Sequence, residues 1–422
     1  MNKPSKRLSL ILPFVCATAF VCFAQQDGDQ VPIDYLSNAG HKSLTVAPRG
    51  HRNGQGHATH GIPDIDSLVN FNDHFTADGV DQNGNAKHVW YYNMVGTEPQ
   101  HHGTTTFNAP IVPVTLDLRN SDGSPRFVNG QPLISSPTAF IQPTLNSPVF
   151  QDAAYSSSDI PTQITDAIQR AEFFDSAKSD WHTLLNPSVK TGRTMVLIRG
   201  TYRFALNGDG SCCRFVLVDA NTFINELFPP TFPVDNSTPV GAAENAGDIT
   251  TRDISTFLFP NTYLYVGNPS DCCVLGFHSY DLEPGDASNG NLERRYVLNY
   301  SSWISPGLFR GGFQDVTALS HEIAETYNDP FVASDGIHNI TPWWLSPNGN
   351  CQDNLEVGDV IEGLPQDVFP ITMNGMTYHP QNEALLQWFE FEFPSSAIGG
   401  AYSYPNPRTL TALSAPQNVN CK

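Results

Sequence analysis

The sequence predicts an α+β fold built on a mixed sheet. Three observations lead to this: short apolar runs with strand spacing, amphipathic helical stretches between them, and 32 Gly with 33 Pro scattered through the chain. Gly and Pro supply turns and interrupt helices, so a helical bundle is excluded. With 40% hydrophobic and 11% aromatic residues in 422 positions, the chain can bury a large core.

The first 24 residues read as a signal peptide. Lys3, Lys6 and Arg7 form a basic start, residues 8–23 an apolar stretch, and Cys22-Phe23-Ala24 a small-residue cleavage site. The expected location is therefore secreted, extracellular or periplasmic. No later window approaches the roughly 20 apolar residues that span a bilayer, so no membrane span is expected. Residues 25–84 are polar, weakly periodic and rich in Gly, Asn and His, among them His41, His51, His57 and His60. An irregular, propeptide-like segment with few core contacts is expected there.

A folded domain is expected over 85–422. Strands are predicted at 89–92 and 111–116, and a helix over 160–174, where Ile164, Ala167, Ile168 and Ala171 recur at helical spacing. Strands at 195–198 and 215–218 flank a turn at 207–210, and helices are predicted over 220–228 and 248–257. Strands at 263–266, 274–280 and 295–300 then lead to a helix over 312–328, stopped by Pro330.

Charge and cysteines narrow the function. Forty-two acids against 22 bases give a net charge of -20, which repels a polyanion, so no nucleic acid partner is expected; the acidity suits solubility or cation binding. Beyond the leader, Cys212, Cys213, Cys272, Cys273, Cys351 and Cys421 make an even set, as expected for disulfides in an exported chain, with the pairing open. The adjacent pairs lack the intervening residues of a zinc knuckle. No G-x-S-x-G elbow and no phosphate-binding glycine loop is present.

The helix over 312–328 carries His321-Glu322-Ile323-Ala324-Glu325. Each helical residue turns about 100°, so His321 and Glu325 project together while Ile323 points into the core. This matches the spacing of H-E-x-x-H, in which two ligands one turn apart hold Zn²⁺ and the intervening Glu is the general base. His321 and Glu325 are thus candidate metal ligands and Glu322 the candidate catalytic base. Glu325 in place of His makes the site more anionic, raises the pKa of a metal-bound water, and widens the choice from zinc to Mn²⁺ or Ca²⁺. A catalytic zinc needs a third protein ligand. Glu356 and Asp359 are candidates, because carboxylates inside the apolar run 355–362 are costly unless paired or metal-bound. A strand would put them on opposite faces and a helical turn on one, which leaves the choice open; His338 is a further option.

The stretch Ala318 to Glu325, then Asn328-Asp329-Pro330, Glu356-Val357-Gly358-Asp359, and Asn374-Gly375 before Leu386-Gln387-Trp388-Phe389 resembles the phosphate-induced protein 1, or exordium-like, family. Cys273-Val274-Leu275-Gly276-Phe277-His278 is similar to that family's Cys-Gly-Phe-His segment with an insertion, and the likeness spans roughly residues 270–421. The resemblance implies a zincin-like mixed sheet with the H-E-x-x-E active-site helix across it, in an exported, wall-associated protein. Two functions are therefore expected to compete. One is a secreted zinc metallopeptidase-like hydrolase acting on peptides. The other is a non-catalytic exported protein with a structural metal site or a groove for a cell-wall polymer, lined by Trp343-Trp344 and Trp388-Phe389.

Overall fold

The computed structural model describes residues 28–40, 42, 44, 46, 49–50, 65–80, 86–156, 160–230, 236–332, 344–352 and 354–413. The first 24 residues, expected as a signal peptide, and His41, His51, His57, His60, His338, Trp343 and Cys421 lie outside them. So do the side chains of Trp344 and Cys351.

A nine-stranded sheet forms the centre. Its strands are Arg49–Gly50 (β1), Ile65–Asp66 (β2), Thr104–Arg119 (β3), Ile134–Ser135 (β4), His182–Val189 (β5), Arg193–Ile198 (β6), Ser255–Pro260 (β7), Gly276–Glu283 (β8) and Glu293–Trp303 (β9). The main path runs β1-β8-β9-β7-β3-β6, while β2 pairs with β9, and β4 and β5 pair with β3. Only β8–β9 and β3–β4 are antiparallel, so the α+β sheet is mostly parallel.

Alternation along these strands builds two cores. Phe107, Ala109 and Ile111 of β3, Tyr280 and Leu282 of β8, and Val297 and Trp303 of β9 join one core. The intervening Val112, Val114 and Leu116, Phe277, and Leu298 and Tyr300 join the other. Helix Ile164–Glu172 (α1) and helix Thr317–Asn328 (α2) cover the first face. Leu319, Ile323 and Tyr327 of α2 are buried against β8 and β9, as the helical spacing predicts. Asn328 Nδ2 donates to Glu172 Oε1 at 2.8 Å and ties the end of α2 to α1.

Several expectations need correction. Helix α2 starts at Thr317 rather than near 312, because Gly311 (φ 83°), Gly312 (φ 93°) and Asp315 (φ 49°) are in left-handed conformations that a right-handed helix cannot contain. Helix α1 is shorter than 160–174. No helix forms over 248–257; its end enters β7, whose six residues are all buried, as in a parallel strand covered on both faces.

The N-terminal segment is not wholly irregular. Beyond β1 and β2 at the sheet margins, Asn70–Val80 pairs with Ala86–Val95 as an antiparallel hairpin, and Leu36, Val46, Leu68 and Phe71 are buried. Hydrophobic residues too sparse to show a period still pack singly against the sheet. Two disulfides join neighbours in sequence, Cys212–Cys213 and Cys272–Cys273. Among the described residues no helix is long and apolar enough to cross a membrane.

Candidate metal centre

The site forms where β8, α2 and the turn 355–362 meet on the α2 face of the sheet. Strand parity places His278 on the same side as Tyr280 and Leu282, pointing at α2. From α2 come His321, Glu322 and Glu325. The segment 355–362 is neither strand nor regular helix but a tight turn, in which Ile361 N and Glu362 N both donate to Gly358 O, at 3.0 and 3.1 Å. Gly358 N and Asp359 N in turn donate to Glu325 Oε1, each at 3.2 Å, and dock the turn onto α2. Glu356 and Asp359 consequently both reach the cluster.

Distances divide the cluster around two imidazoles. His278 Nδ1 lies 3.4 Å from Glu325 Oε2, 3.7 Å from Glu356 Oε2 and 3.8 Å from Glu322 Oε2. His321 Nε2 lies 3.1 Å from Glu325 Oε1, 3.6 Å from Asp359 Oδ1 and 4.0 Å from Glu322 Oε1. The far nitrogen of each ring is engaged elsewhere. His278 Nε2 donates to Asp329 O at 3.1 Å, and His321 Nδ1 donates to Gln381 Oε1 at 3.2 Å. Gln381 Nε2 donates to Gly358 O at 2.8 Å, which fixes the amide so that its oxygen faces His321. A neutral ring held this way presents its lone pair to the carboxylates, as metal-bound histidines are held.

Two glycines make the room. A Cβ on Gly276 would stand 2.4 Å from Glu322 Oε1, and one on Gly358 would stand 2.5 Å from His321 Nδ1. Both side chains therefore rest against bare backbone, and a pocket is lined by them with Glu325, Glu356, Asp359, Phe277 and Phe313. Lys42 and Leu44 line it too, so the N-terminal segment reaches the site. It runs beside Cys273 there, with Lys42 N donating to Cys273 O and Cys273 N to Gly40 O, both at 2.8 Å.

Charge is concentrated and buried. Burial works against protonation of His278, but Glu356, Glu322 and Glu325 outweigh it and hold its pKa well above the usual histidine value. For His321 burial is likewise overcome, by Glu325, Glu322 and Asp359. Burial pushes Glu356 and Asp359 well up, and the neighbouring Glu325 adds to this; Glu322 is also raised by burial. Glu325 goes the other way: its burial is outweighed by His321 and His278 on either side, which hold it below the ordinary range. Burial raises Glu362, at the edge of the cluster, to about 7. Cations on this surface would replace protons.

The structure brings five of the six sequence candidates together and sorts them, the sixth, His338, lying outside the described residues. Asp359 groups with His321 and Glu325 in one set of atoms within reach of an ion, and Glu356 groups with His278 and Asp329 in another. Glu322 groups with His278 and Glu325, so it stands within ligand distance as well as in the base position. Sequence reasoning assigned no role to His278, Asp329 or Gln381. The available signal was His278 itself, a histidine in an apolar strand two residues after a glycine. No family model, no curated protein and no solved structure matches this chain.

Proposed function

We propose that this chain is a secreted metal-dependent hydrolase, zincin-like in its site and similar to the exordium-like family, with zinc as the first metal to test and peptides as the substrate class. The observation that carries this reading is the pair of imidazoles whose far nitrogens are held by Asp329 O and Gln381, so that His278 Nδ1 and His321 Nε2 face buried carboxylates lining a pocket. Two nitrogens with several carboxylate oxygens suit Zn²⁺, and also Mn²⁺.

His321, Glu325 and Asp359 would hold the metal, with His278 and Glu356 beside them. When bound, the metal supplies a Lewis acid that lowers the pKa of water and polarises a carbonyl. Glu322 Oε2 is buried, with His278 Nδ1 at 3.8 Å and no partner at hydrogen-bond distance among the described residues, which places it to accept a proton. Burial raises its pKa in the metal-free site. Gly276 lets Glu322 stand this close to the strand, and Phe277 and Phe313 provide apolar walls that limit water.

The wall-polymer groove has less support. Trp388 and Phe389 are fully buried in the core, where they cannot line a groove. The deciding experiment loads the protein with Zn²⁺ and offers a broad peptide library, before and after chelation and with Glu322→Gln. Cleavage that disappears on chelation and falls about 10²- to 10⁴-fold in the variant supports the reading. A metal-loaded protein that cleaves nothing and is matched by Glu322→Gln in every assay overturns it.

A further inference from the structure

The site contains more ligands than one ion can use, and they are arranged around two points. Among the described residues, the sets of three atoms within mutual reach at this site are His278 with Glu322 and Glu325, His278 with Asp329 and Glu356, and His321 with Glu325 and Asp359; none of them contains both imidazoles. One ion with bonds of about 2.0–2.1 Å keeps even opposite donors within about 4.2 Å of each other. Glu325 spans the two groups with separate oxygens, Oε2 toward His278 at 3.4 Å and Oε1 toward His321 at 3.1 Å. Glu322 straddles them as well, with Oε2 3.8 Å from His278 and Oε1 4.0 Å from His321.

Charge balance points the same way. Glu322, Glu325, Glu356 and Asp359 are all buried, and once ionised they carry four negative charges. One divalent ion would leave half of that uncompensated in a medium where unpaired charge is costly. Two divalent ions would balance it. Glu356 Oε1 and Glu322 Oε2 are buried without hydrogen-bond partners among the described residues, so oxygens remain for a second ion.

We propose that the site holds two divalent cations bridged by the carboxylate of Glu325, one bound at His278 with Glu356 and the other at His321 with Asp359. A carboxylate that offers one oxygen to each ion fits the separation of about 3.5–4 Å found in two-metal hydrolytic sites. Glu322, facing both ions, is placed to take a proton from a water between them. The inference rests on the metal-site reading above but not on any activity.

The test is the number of ions and the coupling between them. The full-length protein is freed of metal, titrated with Mn²⁺ or Zn²⁺ alone, and its bound metal counted by elemental analysis and native mass spectrometry. Two ions per chain are expected, with an exchange-coupled Mn²⁺ electron paramagnetic resonance spectrum. His278→Ala and His321→Ala should each retain one ion and show the spectrum of an isolated ion, and Glu325→Gln should weaken both ions. The wild-type spectrum needs no variant, so a variant that fails to fold leaves the test intact. One ion per wild-type chain with an uncoupled spectrum overturns the pair and leaves the single-metal reading standing. No bound ion overturns both.

Discussion

Gly358 presses its bare α-carbon against the ring of His321, leaving no room for a side chain: a Cβ there would stand 2.5 Å from Nδ1. The same residue accepts from Gln381 through its carbonyl and donates to Glu325 through its amide. One backbone unit thus spaces, orients and links three site residues. Gly358→Ala should push the ring off its bearing and lower metal affinity about 10- to 100-fold, the scale of outer-shell changes. Isothermal titration with Zn²⁺ measures this, with circular dichroism as a check that the fold survives. Unchanged affinity would mean that the ring does not need its present seat.

Gln381 tests the orientation of the same ring from the other side. Gln381→Leu keeps volume but removes the acceptor for His321 Nδ1–H, so either ring nitrogen can then carry the proton. Metal affinity should fall by about 10- to 100-fold, while Gln381→Glu, which still accepts from Nδ1–H, should retain more of it. Equal behaviour of the two variants would argue against a tautomer-fixing role.

How much of this was legible in the sequence depended on distance along the chain. The helix carrying His321, Glu322 and Glu325 was visible because ligand spacing and apolar spacing coincide within a dozen residues. Its true start was hidden, since the pattern does not reveal that Gly311, Gly312 and Asp315 adopt positive φ. The turn 355–362 could be read as strand or helix because its geometry is set by Glu325 accepting from Gly358 and Asp359, a contact more than thirty residues away in sequence. His278 was missed for the same reason: strand pairing and sheet parity, not local composition, bring it under α2. The end of the helix expected over 248–257 became strand because burial on both faces of β7 overrode local propensity there.

Glu172 provides a pH prediction away from the metal site. It is fully buried, with Oε1 accepting from Asn328 Nδ2 and Leu386 N, and burial raises its pKa to about 8 even though both bonds favour its charged form. A carboxyl raised in the folded state favours folding most below its unfolded pKa of about 4.3, and this contribution fades as pH rises through 8. Glu172→Gln keeps an acceptor for both donors and stays neutral. Its melting temperature should match wild type near pH 5 and exceed it near pH 9. Equal melting temperatures at both pH values would show that Glu172 ionises in the fold without cost.

Trp388 separates core from groove. It is fully buried, stands edge-on to Phe389 with ring centroids 5.0 Å apart, and donates from Nε1 to Ala412 O at 3.3 Å. Trp388→Ala should cost about 3–5 kcal/mol of stability, as large-to-small changes in a packed core do. Chemical denaturation measures it. A variant of normal stability that lost affinity for a wall polymer would restore the groove reading.

The last prediction asks whether the N-terminal segment is a detachable propeptide or part of the fold. Asp29, nearly buried, accepts from Arg126 Nη2 at 3.0 Å, Arg199 Nε at 2.7 Å and Arg203 Nη1 at 3.0 Å. Arg126 is itself only 4% exposed, and Asp29 compensates part of its buried charge. Further along, Leu36 and Val46 are buried in two different cores, and Val46 O accepts from Ser279 Oγ of β8 at 2.8 Å. A segment held by both ionic and apolar contacts behaves as structure, even though Lys42 and Leu44 reach the pocket. Asp29→Asn should therefore cost about 3–5 kcal/mol, because it leaves Arg126 buried beside a neutral amide. Cleavage after residue 46 should lower the melting temperature further and expose apolar sheet surface, seen as dye binding. If instead the cleaved protein kept its melting temperature and took up Zn²⁺ more readily, the segment would be a removable cover on the site.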